Sequence, residues 1–309
     1  MTNPTPSTTW KEIISPNEES IFEEYSVKLI EIQKEKSKKF GNGRALHRKQ
    51  IEAHTGTLEI LDAIPEHAKQ GIFAKKGSYP VEIRLSNGSM EVKSNSEPDI
   101  RGFAIKVKNL SGKNPFGTSQ TEQDFLLINQ TTFSSPDALP FLKVVVAASK
   151  GPLSLLGHLF GEYGFFGGLQ KIKSVKETFG KPFSGYYTEN FSTVAPMAFG
   201  KYAGKLRIKP RANNTKENAK FDVQIQFFIN ESETPIENAS IEWQEQVSPF
   251  VTVGELSIDK GPANKDELEK KVETSKFDPW NCLEEHKPLG NIMRCRKVMY
   301  LLSQKGRGV

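Results

Sequence analysis

Apolar residues recur along the chain with two different periods, and each change of period marks an element. Ile21, Phe22, Tyr25, Leu29, Ile30 and Ile32 follow a helical spacing, which predicts a helix with one buried side running to about Lys39. Ser15-Pro16-Asn17-Glu18 before it reads as a capping box with proline at the first helical position. Residues 57–61, 81–85, 103–107 and 125–128 are short β-branched or aromatic runs between polar or Gly/Asn turns, and so predict strands. A helix should open at Ser135-Pro136-Asp137 and carry Leu139, Phe141, Leu142 and residues 144–146. Further strands are predicted at 206–209, 221–227, 240–243 and 251–258. The alternation in 221–227 gives one buried and one wet face. Residues 260–276 read as a charged, helical linker, and 292–304 as a helix that turns basic toward its end.

Strands that succeed one another without regular intervening helices favour an antiparallel sheet with helices to its sides, an α+β arrangement. There is no internal repeat. With 309 residues the chain is long for one domain and short for two, so residues 15–309 are expected to form one large domain behind a polar, flexible arm over 1–14. Residues 151–169 need a separate reading. Their length approaches a membrane span, but Glu162, His158 and six glycines argue against a stable helix. A greasy loop or lid over an apolar pocket is expected there, with a peripheral membrane contact as the alternative.

Composition narrows the function classes. Hydrophobic residues are 36% and charged residues 26%, as in globular proteins. A net charge of +5 is too mild and too dispersed to call for nucleic acid, and it suits a small anionic ligand. Two cysteines, Cys282 and Cys295, fit a reducing compartment, and the N-terminus has neither the basic nor the apolar region of a signal peptide. The expected location is the cytoplasm. No phosphate-binding loop, dinucleotide fingerprint, zinc-spaced Cys/His cluster or nucleophile elbow occurs. The five histidines are His47, His54, His67, His158 and His286.

Two local patterns carry candidate chemistry. Arg44-Ala-Leu-His47 sets an arginine three residues before a histidine. Arg296-Lys-Val-Met-Tyr300 sets an arginine and a tyrosine on one helical face. A guanidinium beside a phenol favours the phenolate, a hard donor suited to ferric iron and a recognised axial ligand of haem. The same spacing also suits a plain Arg–Tyr stack on an amphipathic helix.

Taken in order, these pieces resemble the haem catalase superfamily, over residues 40–309. Arg44-x-x-His47 followed by Gly56-Thr-Leu-Glu59 resembles its distal-histidine segment. Tyr79-Pro-Val-Glu-Ile-Arg84-Leu-Ser86-Asn-Gly88 and Pro98-Asp-Ile-Arg-Gly-Phe-Ala-Ile-Lys-Val107 resemble two of its strands, the second being the most specific match. Gln123-Asp-Phe-Leu-Leu-Ile-Asn129 with Phe133 resembles the strand that follows, and Arg296-x-x-x-Tyr300 with Ser303 and Arg307 the proximal motif. Pro235-Ile-Glu-Asn through Trp243, Phe277-Asp-Pro-Trp and His286-Lys-Pro-Leu-Gly290 are similar to the short catalase-related branch. That branch includes allene oxide synthases and small organic-hydroperoxide peroxidases.

The resemblance implies an antiparallel β-barrel with flanking helices and a ferric haem b. Tyr300 would be the iron ligand, with Arg296 holding it as phenolate. His47 would be the distal base, oriented by Ser86. Arg44, Arg84 and Arg307 would pair with the propionates, and Phe133 would pack on the porphyrin. Counting back from the strand at Phe125 puts the family's distal asparagine at Thr121, with Gln120 or Gln123 as alternatives, and Leu46 stands where a smaller residue is usual. Loss of the amide implies an enzyme for organic, fatty-acid hydroperoxides. It would act as a peroxidase drawing on an outside electron donor, or as a dehydratase forming an allene oxide. The alternatives are a small true catalase and a non-catalytic haem carrier or sensor. A homodimer is the expected assembly.

Overall fold

In the computed structural model, residues 5–180, 182–261 and 264–309 are described. The strands are β1 (Gln50–Ile60), β2 (Gly77–Asn87), β3 (Arg101–Val107), β4 (Gly112–Lys113), β5 (Ser119–Gln120), β6 (Gln123–Ile128), β7 (Phe191–Ser192), β8 (Met197–Phe199), β9 (Tyr202–Pro210), β10 (Lys220–Phe227) and β11 (Val251–Ile258). The helices are α1 (Glu18–Phe40), α2 (Ala138–Ser149), α3 (Pro152–Phe179), α4 (Lys265–Thr274) and α5 (Asn291–Arg307). Eight strands run antiparallel in the order β10-β11-β1-β2-β3-β6-β7-β9, and pairing of β9 with β10 closes them into a barrel. β8 hangs on β9, and β4 and β5 form a small separate ribbon. Closure removes the open sheet edges. The fold is α+β, as the element order predicts.

Strand residues alternate between the two faces of a sheet, and the barrel uses the two faces differently. Val81, Ile83, Leu85, Phe103, Ile105 and Val107 point inward and pack with Phe191, Phe221 and Phe227 into a solid core. Phe103 lies 5.3 Å from the Phe191 ring and 5.6 Å from the Phe221 ring. The outward residues of the same strands include Glu82, Arg84, Ser86, Lys106 and Asp124, and these are buried too. A polar outer wall can be buried only if other elements cover it. α4 packs on β1 and β2, and the segment before α5 is pinned to β6 by Asp278 N–H and Asn281 C=O, which bond Asp124.

Hydrogen bonds from distant segments fix α5 in place. Arg294 donates to Glu18 (2.6 Å), Glu12 (2.7 Å) and Glu237 (3.0 Å), so one guanidinium ties α5 to α1, the N-terminal segment and the 230s loop. Burial works against the Arg294 charge, but its three carboxylate partners outweigh burial and raise its pKa. Trp280 donates to the Met293 carbonyl (2.7 Å), Gln304 to Asp278 (2.7 Å) and Gln33 of α1 to the Ser303 carbonyl (3.1 Å).

Several expectations are revised. The helix starts at Glu18 with Asn17 as the cap residue and no side-chain cap bond; the Glu18 carboxylate is held mainly by Arg294, with the Ser15 N–H as a further donor. Residues 5–14 are not a free arm where described: Ser7 N–H bonds the Phe228 carbonyl, Trp10 bonds the Lys201 carbonyl, and Glu12 reaches Arg294. Residues 240–243 form no strand. Ser240 is drawn into a turn by Asn238, and the Trp243 carbonyl accepts from Gln226. Residues 152–169 are the first two-thirds of α3, behind the cap residue Gly151, not a loop, and within the helix the glycines show their effect as one break at Gly164 (φ 67°). Residues 265–274 are helical as expected, but α4 is a wall element and not a linker. By contrast α2 opens as predicted, with the Asp137 carboxylate accepting from Leu139 N–H.

The Arg294 cluster predicts a large asymmetry. Arg294→Ala removes the cation shared by three largely buried carboxylates, of which only Glu12 keeps another among the described residues, Lys287, and should cost about 3–5 kcal/mol in denaturant unfolding. Arg211→Ala removes an exposed pair with Asp222 and Glu255 and should cost no more than about 1 kcal/mol. Equal losses would show that Arg294 does not organise this corner.

Candidate functional site

The site is built on the outer wall of β2, β3 and β6 beneath α5. Residues paired across antiparallel strands share a face, so the register aligns three rows. Ser86, Gly102 and Ile128 form one, Arg84, Ala104 and Leu126 the next, and Glu82, Lys106 and Asp124 the third. The third row is closed by charge: Lys106 donates to Asp124 at 2.7 Å. Ala104, Leu126 and Ile128 in the other two rows keep part of their surface accessible, although neighbouring residues of the same strands are sealed.

His47 lies at the Ser86–Gly102–Ile128 row. Its backbone is in the left-handed region (φ 50°), a conformation that costs a non-glycine residue of order 1–2 kcal/mol. Three bonds hold it there. His47 N–H donates to the Gly88 carbonyl (3.0 Å), Arg84 donates to the His47 carbonyl (3.0 Å), and Nδ1 pairs with Ser86 Oγ (3.1 Å). Gly102 makes the ring position possible, since a Cβ there would stand 2.6 Å from both His47 Nδ1 and Ser86 Oγ. Burial, reinforced by Arg84, Arg296 and Arg44, pushes the His47 pKa down to about 3. As a residue, His47 is not fully sealed from solvent.

α5 brings up the other side. Arg296 donates to the Tyr300 hydroxyl at 2.8 Å, one helical turn away. Tyr300 is close enough to Arg44 and Arg84 to influence both electrostatically, and Arg296 likewise influences His47. Phe133 packs against the cluster that joins α5 to α1 and α2, its ring 4.7 Å from that of Phe141.

Arg44, Arg84 and Arg307 gather around one acidic residue, Glu273 of α4. Arg44 Nη1 meets Glu273 Oε1 at 3.0 Å, and Arg84 Nη2 meets Oε2 at 2.9 Å. Burial lowers the pKa of all three arginines, and Glu273 partly offsets it. Arg307 Nε is buried and has no hydrogen-bond partner among the described residues. Three cations around one carboxylate leave two positive charges uncompensated, a setting for a dianionic group.

The structure thus brings together His47, Ser86, Arg44, Arg84, Arg296, Tyr300 and Arg307, while Phe133 lies in the helical cluster against Phe141. It does not bring in Thr121. That residue is exposed beyond Gln123, which pairs with Val107, while the His47 row crosses β3 at Gly102. Five residues at ~3.4 Å each separate the two rows by ~17 Å. Gln120 and Gln123 are likewise at the far end, bonded to Asn281 and to Leu283 N–H. The residue beside His47 on β6 is Ile128. His54 pairs with Ile83 on the opposite face of the sheet, where it bonds Glu52 and Tyr187. Sequence reasoning missed Gly102, Ile128 and Glu273. A glycine inside a strand was the available signal for the first; the other two follow only from register and helix packing.

Against known proteins, no protein-family model matches this chain, and no curated protein matches it in sequence. The fold is similar to that of a fungal catalase, with a TM-score of 0.69 and 16% identity over 86% of this chain and 59% of that one. It is also similar to a bacterial catalase, with a TM-score of 0.65 and 16% identity over 86% of this chain and 57% of that one. The chain therefore spans less than two-thirds of the length of either.

A pH signature follows from His47. Its folded pKa of about 3 lies below the ordinary 6.5, so between those values the unfolded chain holds more protons than the folded one. The neutral, buried ring is tolerated fully above 6.5, and stability falls as pH drops toward 3, by up to about 1.4 kcal/mol per pH unit. His47→Gln should flatten that part of the acid limb in unfolding titrations relative to the unmodified protein. Parallel curves would mean that the ring is solvated.

Proposed function

We propose that this protein is a haem-dependent enzyme acting on organic hydroperoxides, fatty-acid hydroperoxides among them. The observation that carries the reading is the Arg296–Tyr300 hydrogen bond set beside the oriented His47–Ser86 pair in one buried space. The residues present fit a ferric haem b. A phenol oxygen under a guanidinium is a suitable single protein ligand to an iron whose other donors come from a porphyrin. The two uncompensated charges among Arg44, Arg84 and Arg307, with the orphaned Arg307 Nε, suit two propionates. Phe133 is the aromatic partner for the ring. Fold similarity to two catalases accords with this reading.

Bound there, the haem would supply the redox-active iron at which a peroxide O–O bond is cleaved. The chain's own residues manage proton and substrate. In the tautomer in which Nδ1 donates to Ser86 Oγ, His47 Nε2 keeps its lone pair free to take the hydroperoxide proton and return it to the leaving oxygen. The depressed pKa keeps this nitrogen unprotonated throughout the neutral range. Ile128, Leu126 and Ala104 give the wall beside His47 an apolar character that favours a hydrocarbon tail. A substrate with such a tail gains orientation from burial, at ~25 cal/mol per Å². Hydrogen peroxide has no tail to bury and depends on polar contacts, and Ile128 offers none.

Two product classes are compatible with this proton chemistry. Reduction to an alcohol and water consumes two electrons and two protons and requires an outside donor. Loss of water with formation of an epoxide requires none. Product analysis with a fatty-acid hydroperoxide, beside hydrogen peroxide, separates them.

Two outcomes are expected. Tyr300→Phe should lose the haem absorbance that the unmodified protein shows after reconstitution, and His47→Ala should keep it while losing at least ~10²-fold in hydroperoxide turnover. An unchanged spectrum for Tyr300→Phe would end the reading. Ile128→Asn should shift the ratio of hydrogen peroxide to organic hydroperoxide turnover toward hydrogen peroxide by ~10-fold, the worth of about one hydrogen bond. Thr121→Asn should leave the ratio unchanged. The reverse pattern would show that residue 121, and not residue 128, borders the reacting oxygen.

A further inference from the structure

α3 is attached to the rest of the protein mainly through α2, with Leu159 buried and an ion pair between Lys143 and Glu162 at 2.8 Å. Its helical path breaks at Gly164, and the two residues that follow are the most exposed aromatic pair in the described chain. Phe165 is 66% and Phe166 85% accessible. Beyond the break, the helical period aligns Phe165, Leu169, Ile172 and Lys176 on one side, with Phe166 and Lys173 next to them. Leu169, Ile172, Lys173 and Lys176 line a surface groove of about 590 Å³. The charged residues from 163 to 177 are Lys171, Lys173, Lys176 and Glu177.

An aromatic tip followed on the same face by lysines has the chemistry of a segment that lies in the headgroup layer of an anionic membrane. The rings enter the interfacial layer, while the lysine stems stretch along it and bring their ammonium groups to lipid phosphates. No helix among the described residues is long and apolar enough to cross a membrane, so the segment would rest on the surface. A second copy of the chain suits this face poorly. A two-fold axis through the middle of this face would set the Phe165 end of one copy against the Lys176 end of the other, apolar against charged. The two rings offer ~300 Å², against ~800 Å² per partner in a stable protein interface.

We propose that the second half of α3 docks the protein peripherally on anionic lipid surfaces, with Phe165 and Phe166 as the inserted residues and Lys173 and Lys176 as the headgroup contacts. This is independent of the haem reading and is tested without any activity assay. The full chain is centrifuged with phosphatidylcholine vesicles, with and without phosphatidylserine. It should bind the phosphatidylserine vesicles, and binding should weaken as salt is raised. Phe165→Ser with Phe166→Ser should reduce binding at least ~10-fold, and Lys173→Glu with Lys176→Glu should remove the preference for phosphatidylserine. All four side chains are exposed, so unchanged melting curves verify that the variants fold. Absence of binding to either vesicle, or binding indifferent to both double variants, overturns the proposal. Concentration-dependent self-association that the Phe variant abolishes, without lipid binding, would overturn it in favour of a second copy.

Discussion

Burial of positive charge on the outer wall of the barrel governs most of the architecture around it. Arg84 and Lys106 leave β2 and β3 on the face away from the apolar core, and both are nearly inaccessible to water. An uncompensated buried cation is costly, so each must find an anion, and the anions arrive on other elements. Asp124 comes from β6 and meets Lys106; Glu273 comes from α4 and meets Arg84 and Arg44. Each pairing also fastens the element that delivers it. Asp124 in turn accepts from Asp278 N–H, and this holds the chain that leads into α5.

The two halves of the site are therefore fixed from different directions. His47 is held by the barrel, through Ser86, Arg84 and the Gly88 carbonyl, in a backbone conformation it would not adopt freely. Tyr300 and Arg296 are held by α5, whose position depends on Arg294, Trp280 and Gln304. Glycine at 102 is a steric requirement of the first half, because any side chain would displace either the imidazole or the serine hydroxyl. The space between the halves is apolar on the β6 side and cationic toward Arg44 and Arg307.

Much of this was legible in the sequence, for reasons that differ by element. Periodicity located most of the strands and the cores of α1, α2 and α5, because an apolar stripe facing a core is a local pattern. The Arg296–Tyr300 pair was legible because helical spacing alone sets residues four apart side by side. The resemblance to catalases supplied His47, Ser86 and the arginines as a set. Residues 151–169 were misread because glycine propensity was weighed without the packing of the helix on α2. Residues 240–243 were misread because a β-like composition was answered by a turn at Asn238 and the burial of Trp243.

The sequence by itself determined the strand alternation, the α+β order and the one-turn contacts within helices, since those depend on neighbours within a few residues. Only the tertiary structure decided which residue of β6 stands beside His47. Register depends on pairing between strands that are distant in sequence, and counting along one strand put that position at Thr121, seven residues before Ile128. Only the tertiary structure, likewise, brought Glu273 to Arg44 and Arg84. Those two ion pairs span 229 and 189 positions of the sequence, and no local pattern encodes contacts of that separation.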